Sequence, residues 1–352
     1  MRLPKLRIGH LAPRYPIIQG GMGVRVSTAP LAAAVANCGG IGTLSAAEYH
    51  NKNRKSAKTD TVRGMTISRP YLYAPEMAAE IRRTRGMTDG IVGVNVMYAL
   101  TDFYDLVMTA VDAGADFIVT GAGFSRDVFG FVRDFGVPVI SICDQPGLAK
   151  IAQRLGASAI VVEGKEAGGH LGTDRPTREI LPAVADAVTI PVIAAGGIWS
   201  GEDMEAMFRL GASGVQMATR FVTTHECEVS DEFKQAYLDC KKEDIAIIKS
   251  PVGLPGRAIR NRFVKRTESG EKMKFKCPLL CLKTCKAKAA NYCIAEALIN
   301  SYQGRTDEGV IFAGENAYRC NRIESVQEIF DDLLSHFELD ADEPSPVGAG
   351  RV

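Results

Sequence analysis

An excess of charge of either sign is the first thing this 352-residue chain lacks: 42 Lys and Arg stand against 41 Asp and Glu, a formal net charge of +1. That balance removes the basic footprint of a dedicated nucleic-acid binder. No window reaches the roughly 18 uninterrupted apolar residues of a membrane span, so no membrane association is expected. The Lys and Arg residues of segment 1–10 have no apolar run behind them, so no secretory leader is expected either. The expectation is a cytoplasmic protein. The first candidate strand is not followed by Gly-x-Gly-x-x-Gly within 16–23, the fingerprint an open dinucleotide-binding sheet carries at that place. At 46% apolar and 24% charged residues, the composition is that of a globular domain and excludes disordered or fibrous classes.

Glycine and cysteine are plentiful, with 35 and nine residues. Glycines fall just after short runs of Val, Ile and Ala, as at strand-to-helix corners. The runs 16–19, 40–44, 91–96, 117–120, 137–142, 159–163, 192–195 and 214–217 read as eight strands. They are apolar without alternation, as in a parallel sheet covered on both faces. Helical spacing at 31–37, 104–113, 146–155, 178–188 and 201–210 falls between them, and small turns such as Leu155-Gly156-Ala157 hand a helix over to the next strand. Eight alternating units favour an α/β fold of the (β/α)8 TIM-barrel type over an open sheet. Two parts fall outside the repeat: a polar stretch at about 47–70, read as an insertion on the catalytic rim, and a long C-terminal extension, far more than one closing helix requires.

Active sites of such barrels lie at the C-terminal strand ends, with a phosphate often held after the seventh and eighth strands. Here those loops contain Gly196 and Gly197, and Gln216, Met217 and Thr219. Glycine lets backbone N–H groups approach an anion; the alternative is a pair of ordinary tight turns. The sixth strand ends in Glu163, followed by Gly168, Gly169 and His170. An imidazole on a rim loop can exchange protons near neutral pH, although a histidine tied to backbone would look the same in sequence. After the first strand, Gly20, Gly21 and Met22 leave space for a flat ligand, while Asn95 and Gln145 offer polar contacts to ring edges.

In their order along the chain, Gln19-Gly20-Gly21-Met22, Gly93-Val94-Asn95, Glu166-Ala167-Gly168-Gly169-His170, Ala195-Gly196-Gly197-Ile198 and Gly214-Val215-Gln216-Met217-Ala218-Thr219-Arg220-Phe221 resemble the nitronate monooxygenase family, whose superfamily includes FMN-dependent enoyl-acyl-carrier-protein reductases of the FabK type. The likeness runs from about residue 16 to 261. It implies an FMN-binding barrel over 1–249 and an extension over 250–352. Gly20, Gly21 and Met22 would pack against the isoalloxazine, and Asn95 would contact the flavin or its ribityl chain. Gly196, Gly197, Gln216, Met217 and Thr219 would surround the phosphate, and His170 would be the active-site histidine. The implied reaction is oxidation of alkyl nitronates with oxygen. The alternative is NAD(P)H-dependent reduction of an enoyl thioester presented on CoA or an acyl-carrier protein. Either takes a small-molecule substrate; oligomeric state is left open.

Cys277, Cys281, Cys285 and Cys293 crowd a module at about 272–300. A spacing of four residues places successive thiols about 40° apart on a helix. One helical face would then present the first three together. Such thiols suit a [4Fe–4S] cluster, zinc, or no metal at all. The iron–sulfur cluster is the expectation, because a redox flavin would lie nearby and Lys272, Lys274, Lys276, Lys283, Lys286 and Lys288 would offset its charge. The same lysines would also suit an acidic carrier protein, or form a solvated face.

Overall fold

The computed structural model describes residues 1–47, 58–62, 65–69, 74–277 and 281–339. Thirteen strands lie within these residues: β1 (Ile17–Gln19), β2 (Gly42–Ser45), β3 (Lys58–Val62), β4 (Met65–Arg69), β5 (Val92–Met97), β6 (Ile118–Gly121), β7 (Val139–Ile142), β8 (Ala159–Glu163), β9 (Gly169–His170), β10 (Val192–Ala195), β11 (Gly214–Met217), β12 (Ile245–Lys249) and β13 (Pro255–Ile259). The helices are α1 (Ala29–Asn37), α2 (Pro75–Arg85), α3 (Phe103–Asp112), α4 (Val128–Arg133), α5 (Pro146–Leu155), α6 (Thr177–Ala185), α7 (Gly201–Arg209), α8 (Thr219–Val222), α9 (Asp231–Leu238), α10 (Arg262–Glu268), α11 (Ile294–Tyr302) and α12 (Val326–Leu334).

Eight parallel strands run in the order β1-β11-β10-β8-β7-β6-β5-β2. Hydrogen bonds from Gln19 N to Ile41 O and from Ile41 N to Ile17 O, each 2.9 Å, join the two ends into a barrel. This is the (β/α)8 fold expected from the eight apolar runs. Alternate residues of one strand serve two cores. In β8, Ala159 and Val161 face the barrel interior, whereas Ile160 and Val162 join the layer under the helices; in β10 the pairs are Ile193 with Ala195 and Val192 with Ala194. Both sides are apolar, so the two-residue period of a strand leaves no polar alternation. Leu6, Ile8 and Leu11 close the interior core.

Local chemistry sets the corners. Gly156 ends α5 at φ +109°, a conformation that costs residues with a Cβ. Ser200 and Asp203 form a capping box that starts α7 directly after the loop of β10. Most of the insertion expected at about 47–70 lies outside the described residues. Within it, β3 and β4 pair antiparallel, from Lys58 opposite Arg69 to Val62 opposite Met65.

The extension folds back onto the barrel mouth. β12 and β13 form an antiparallel hairpin over 245–259, and β13 pairs with β9 so that Gly256 lies opposite His170. The cysteine module corrects the helical expectation. Residues 281–283 run extended against the loop after β5, with Leu282 bridged to Leu100; Thr101 N donates to Cys281 O at 3.0 Å and Lys283 N to Ala99 O at 2.9 Å. These backbone groups pair with the barrel instead of with their own chain, so no helical face collects the thiols. Cys293 is the residue before α11, and residues 278–280 lie outside the described set. The thiols share a neighbourhood: burial raises the Cys281 thiol to about 12, and Cys293, Cys277 and Cys285 push in the same direction. Among the described residues, however, no three His, Cys, Asp or Glu side chains are placed to hold a metal ion. Among the described residues this arrangement supports neither [4Fe–4S] nor zinc. Lys283 is exposed, and its Nζ donates to Tyr98 O at 2.7 Å and lies 3.8 Å from the Tyr98 ring centre.

Candidate active site

The C-terminal strand ends carry two adjoining pockets. The loop after β1 is tied down from below. Gln19 is fully buried; its Nε2 donates to Ser27 Oγ at 2.8 Å and its Oε1 accepts from Thr43 N at 3.1 Å. Ser27 Oγ in turn accepts from Met22 N at 2.8 Å. This polar brace holds Gly20–Met22 flat against β11, with Gly20 N donating to Met217 O at 2.8 Å. A Cβ on Gly21 would stand 2.6 Å from the Asn95 Cβ, so only glycine permits that approach.

The smaller pocket is lined by Glu163, Gly168, Gly196, Gly197, Met217 and Thr219, among others. Gly196 and Gly197 sit at φ +93° and +74°, a conformation glycine adopts without strain. The extension completes this pocket: Gly314 N donates to Thr219 Oγ1 at 3.0 Å and Asn316 Nδ2 to Gly197 O at 3.0 Å. Trp199, Gly314 and Asn316 were not anticipated from the sequence, since nothing in their local pattern marks them.

The larger chamber has a cavity volume of about 230 Å³. Gly20, Gly21, Met22, Asn95, Glu163, Gly168, Gly169, His170, Gln216 and Thr219 meet here as the sequence suggested. Gln145 does not join them; it is exposed and serves as the N-cap of α5. The reason is its place beyond the strand end, where the chain already turns outward into the helix. The remaining walls are apolar and come largely from α9, α11 and 310–313, with Leu100, Val252, Cys281 and Leu282 opposite. None of the described lining residues is Lys or Arg.

His170 is fixed on three sides. Its backbone pairs with β13, its Nε2 lies 2.8 Å from Ser250 Oγ, and the Phe312 ring meets it edge-on with centres 4.9 Å apart. Arg257 Nε and Nη2 both donate to Lys165 O, anchoring the hairpin to the loop after β8. Burial pushes the His170 imidazole down to about 4 and the Glu163 carboxyl up to about 7, because an enclosed apolar setting disfavours either charge. The signs oppose. The unfolded chain protonates His near 6.5 and the folded one only near 4, so acidification through that window costs stability. Folded Glu163 takes its proton near 7 and unfolded near 4.5, so acidification through that window adds stability. In flavin-free protein, Glu163→Gln is therefore expected to lower Tm, relative to wild type, progressively as pH falls from about 6.5 to 4.5. A variant-to-wild-type difference constant across that range in calorimetry would show Glu163 to be solvated.

Comparison with known proteins places this geometry. The profile of nitronate monooxygenase matches residues 5–336. This chain belongs to the nitronate monooxygenase family. It is a flavin-dependent oxidoreductase. A hydroxy-methyl-oxo-octahydroindene-carboxyl-CoA dehydrogenase of Mycobacterium tuberculosis is 33% identical over 264 residues, 73% of this chain and 66% of that protein's length. A probable nitronate monooxygenase of Staphylococcus aureus is 30% identical over 286 residues, 74% and 79% of the two lengths. Among solved structures, FabK from Thermotoga maritima superposes with a TM-score of 0.74 at 28% identity, covering 92% of this chain and 93% of that one.

The site of this nitronate monooxygenase family member fits a flavin on its own features. Asn95 Oδ1 is buried without a partner, an acceptor left open to a ring N–H, and the glycine loop beside it lies close and flat. With no cation lining the smaller pocket among the described residues, a phosphate there would be held by backbone N–H groups of the glycine turns and by polar side chains. No described helix is long and apolar enough to cross a membrane.

Proposed function

We propose that this protein is an FMN-dependent enoyl-thioester reductase, taking electrons from NAD(P)H and reducing the C=C bond next to the thioester carbonyl of a neutral, apolar acyl group. The observation that carries this reading is the chamber: apolar walls, no Lys or Arg among its described lining, and a histidine held neutral by burial. An anionic nitronate would find no fixed cation among these described walls and would have to draw a proton onto the buried His170 already on binding, which burial opposes. An enoyl group enters uncharged, and the phosphates of its CoA or carrier stay outside. The relative from M. tuberculosis is likewise named for a carboxyl-CoA.

Bound against the β1 loop, FMN would supply hydride transfer. The glycines of that loop admit the ring, Asn95 orients its edge, and Gly196, Gly197, Thr219 and Asn316 surround the phosphate. His170 stands in the wall with Ser250 holding Nε2. As negative charge grows on the thioester, Coulomb attraction in this enclosed site raises the proton affinity of the ring. His170 then takes up a proton from solvent and passes it to the carbon beside the carbonyl, returning to the neutral ring.

Nitronate oxidation is the second reading, favoured by the family profile. One anaerobic experiment ranks the two. NADH or NADPH should bleach the flavin of the holoprotein, and crotonyl thioester should restore it. Flavin that stays oxidised with both nucleotides, together with oxygen uptake on ethylnitronate in air, would reverse the order.

A further inference from the structure

The cysteine-rich extension reaches the chamber through apolar side chains. Two helices line it. α9 contributes Phe233 and Tyr237, four residues apart, and α11 contributes Ile294, Ala295 and Leu298. Residues three or four apart share one helical face, so each helix offers the chamber about 6 Å of its length. Backbone hydrogen bonds tie α11 to the start of α9 and to the segment at 310. Ser230 N donates to Tyr302 O at 3.1 Å, and Val310 N to Ala297 O at 3.1 Å. The Tyr237 hydroxyl is spent on Phe312 O, so its ring is what the slot meets. Phe312 lies between this slot and His170, touching the imidazole. Leu298 stays half-buried beside residues that are nearly fully buried, leaving apolar surface that a ligand would cover.

We propose that the slot between α9 and α11 takes the apolar tail of the acyl group, and that Leu298 sets the length of tail accepted. The reacting end lies at His170 and the tail runs outward between the helices. The thioester identity of the head group rests on the reading above; the slot itself requires only an apolar tail. A hydrophobic wall that gains or loses contact with one to a few methylenes changes selectivity about 10- to 200-fold.

The test uses flavin-loaded protein. With crotonyl, octenoyl and dodecenoyl thioesters, kcat/KM is expected to rise at least about tenfold from crotonyl to octenoyl. Leu298→Trp should collapse that ratio towards one, and Leu298→Ala should move the preference to dodecenoyl. Calorimetric binding of the saturated butyryl and octanoyl thioesters reads the slot without turnover: octanoyl should bind at least about tenfold tighter, and Leu298→Trp should erase the difference. A protein that turns over no enoyl thioester yet shows this binding difference, lost in Leu298→Trp, would sink the reductase reading and support the slot. Equal affinities in wild type, or a difference that survives in the Leu298 variants, would overturn the slot. If Leu298→Trp does not fold, the chain-length profile of Leu298→Ala decides alone.

Discussion

Gly197→Asp is expected to yield a folded barrel that no longer retains its flavin, with affinity reduced on the order of 10²- to 10³-fold. Two effects combine. The residue sits at φ +74°, where any side chain costs about 1–2 kcal/mol, and its Cβ would stand 3.3 Å from the Glu166 Cβ. The new carboxylate would also occupy the pocket where the phosphate belongs. At about 4 Å, two like charges repel by roughly 1–4 kcal/mol between water and a protein-surface dielectric. Gly197→Ala introduces the backbone cost without the charge and should lose only about tenfold. Flavin absorbance per chain after reconstitution measures both, with circular dichroism as the check on folding. Undiminished flavin in the aspartate variant would move the phosphate away from the loop after β10.

His170→Ala should keep flavin and fold but lose turnover on the order of 10²- to 10⁴-fold, the range of a general acid–base group. The loss should fall on kcat more than on KM, since the apolar walls that hold the substrate remain. Ser250→Ala, which frees Nε2 without removing the ring, should cost less. A His170→Ala enzyme of normal rate would leave the imidazole as a structural member of the β9–β13 pairing.

The barrel was legible in the sequence because each strand repeats one physical demand. A parallel strand covered on both faces must be apolar along its whole length, so β8 and β10 announce themselves as Ala-Ile-Val-Val-Glu and Val-Ile-Ala-Ala. The glycine corners were legible for a related reason. Gly196 and Gly197 adopt a backbone conformation that other residues resist, and Gly21 approaches Asn95 more closely than a Cβ allows.

What depended on neighbours far away in the chain was not legible. The spacing of the cysteines satisfies a helix, but whether 281–283 coils or extends is decided by the Ala99 carbonyl and the Thr101 N–H, which pair with its backbone. His170 stands out among glycines. Its neutrality comes from Phe312 and the hairpin over 245–259, about 75 or more residues away in sequence. Phe233, Tyr237 and Leu298 show the limit most plainly. An apolar helix face reads the same whether it packs against protein or borders an open chamber, because local sequence specifies what a face prefers to touch. The position of the other helix leaves the gap.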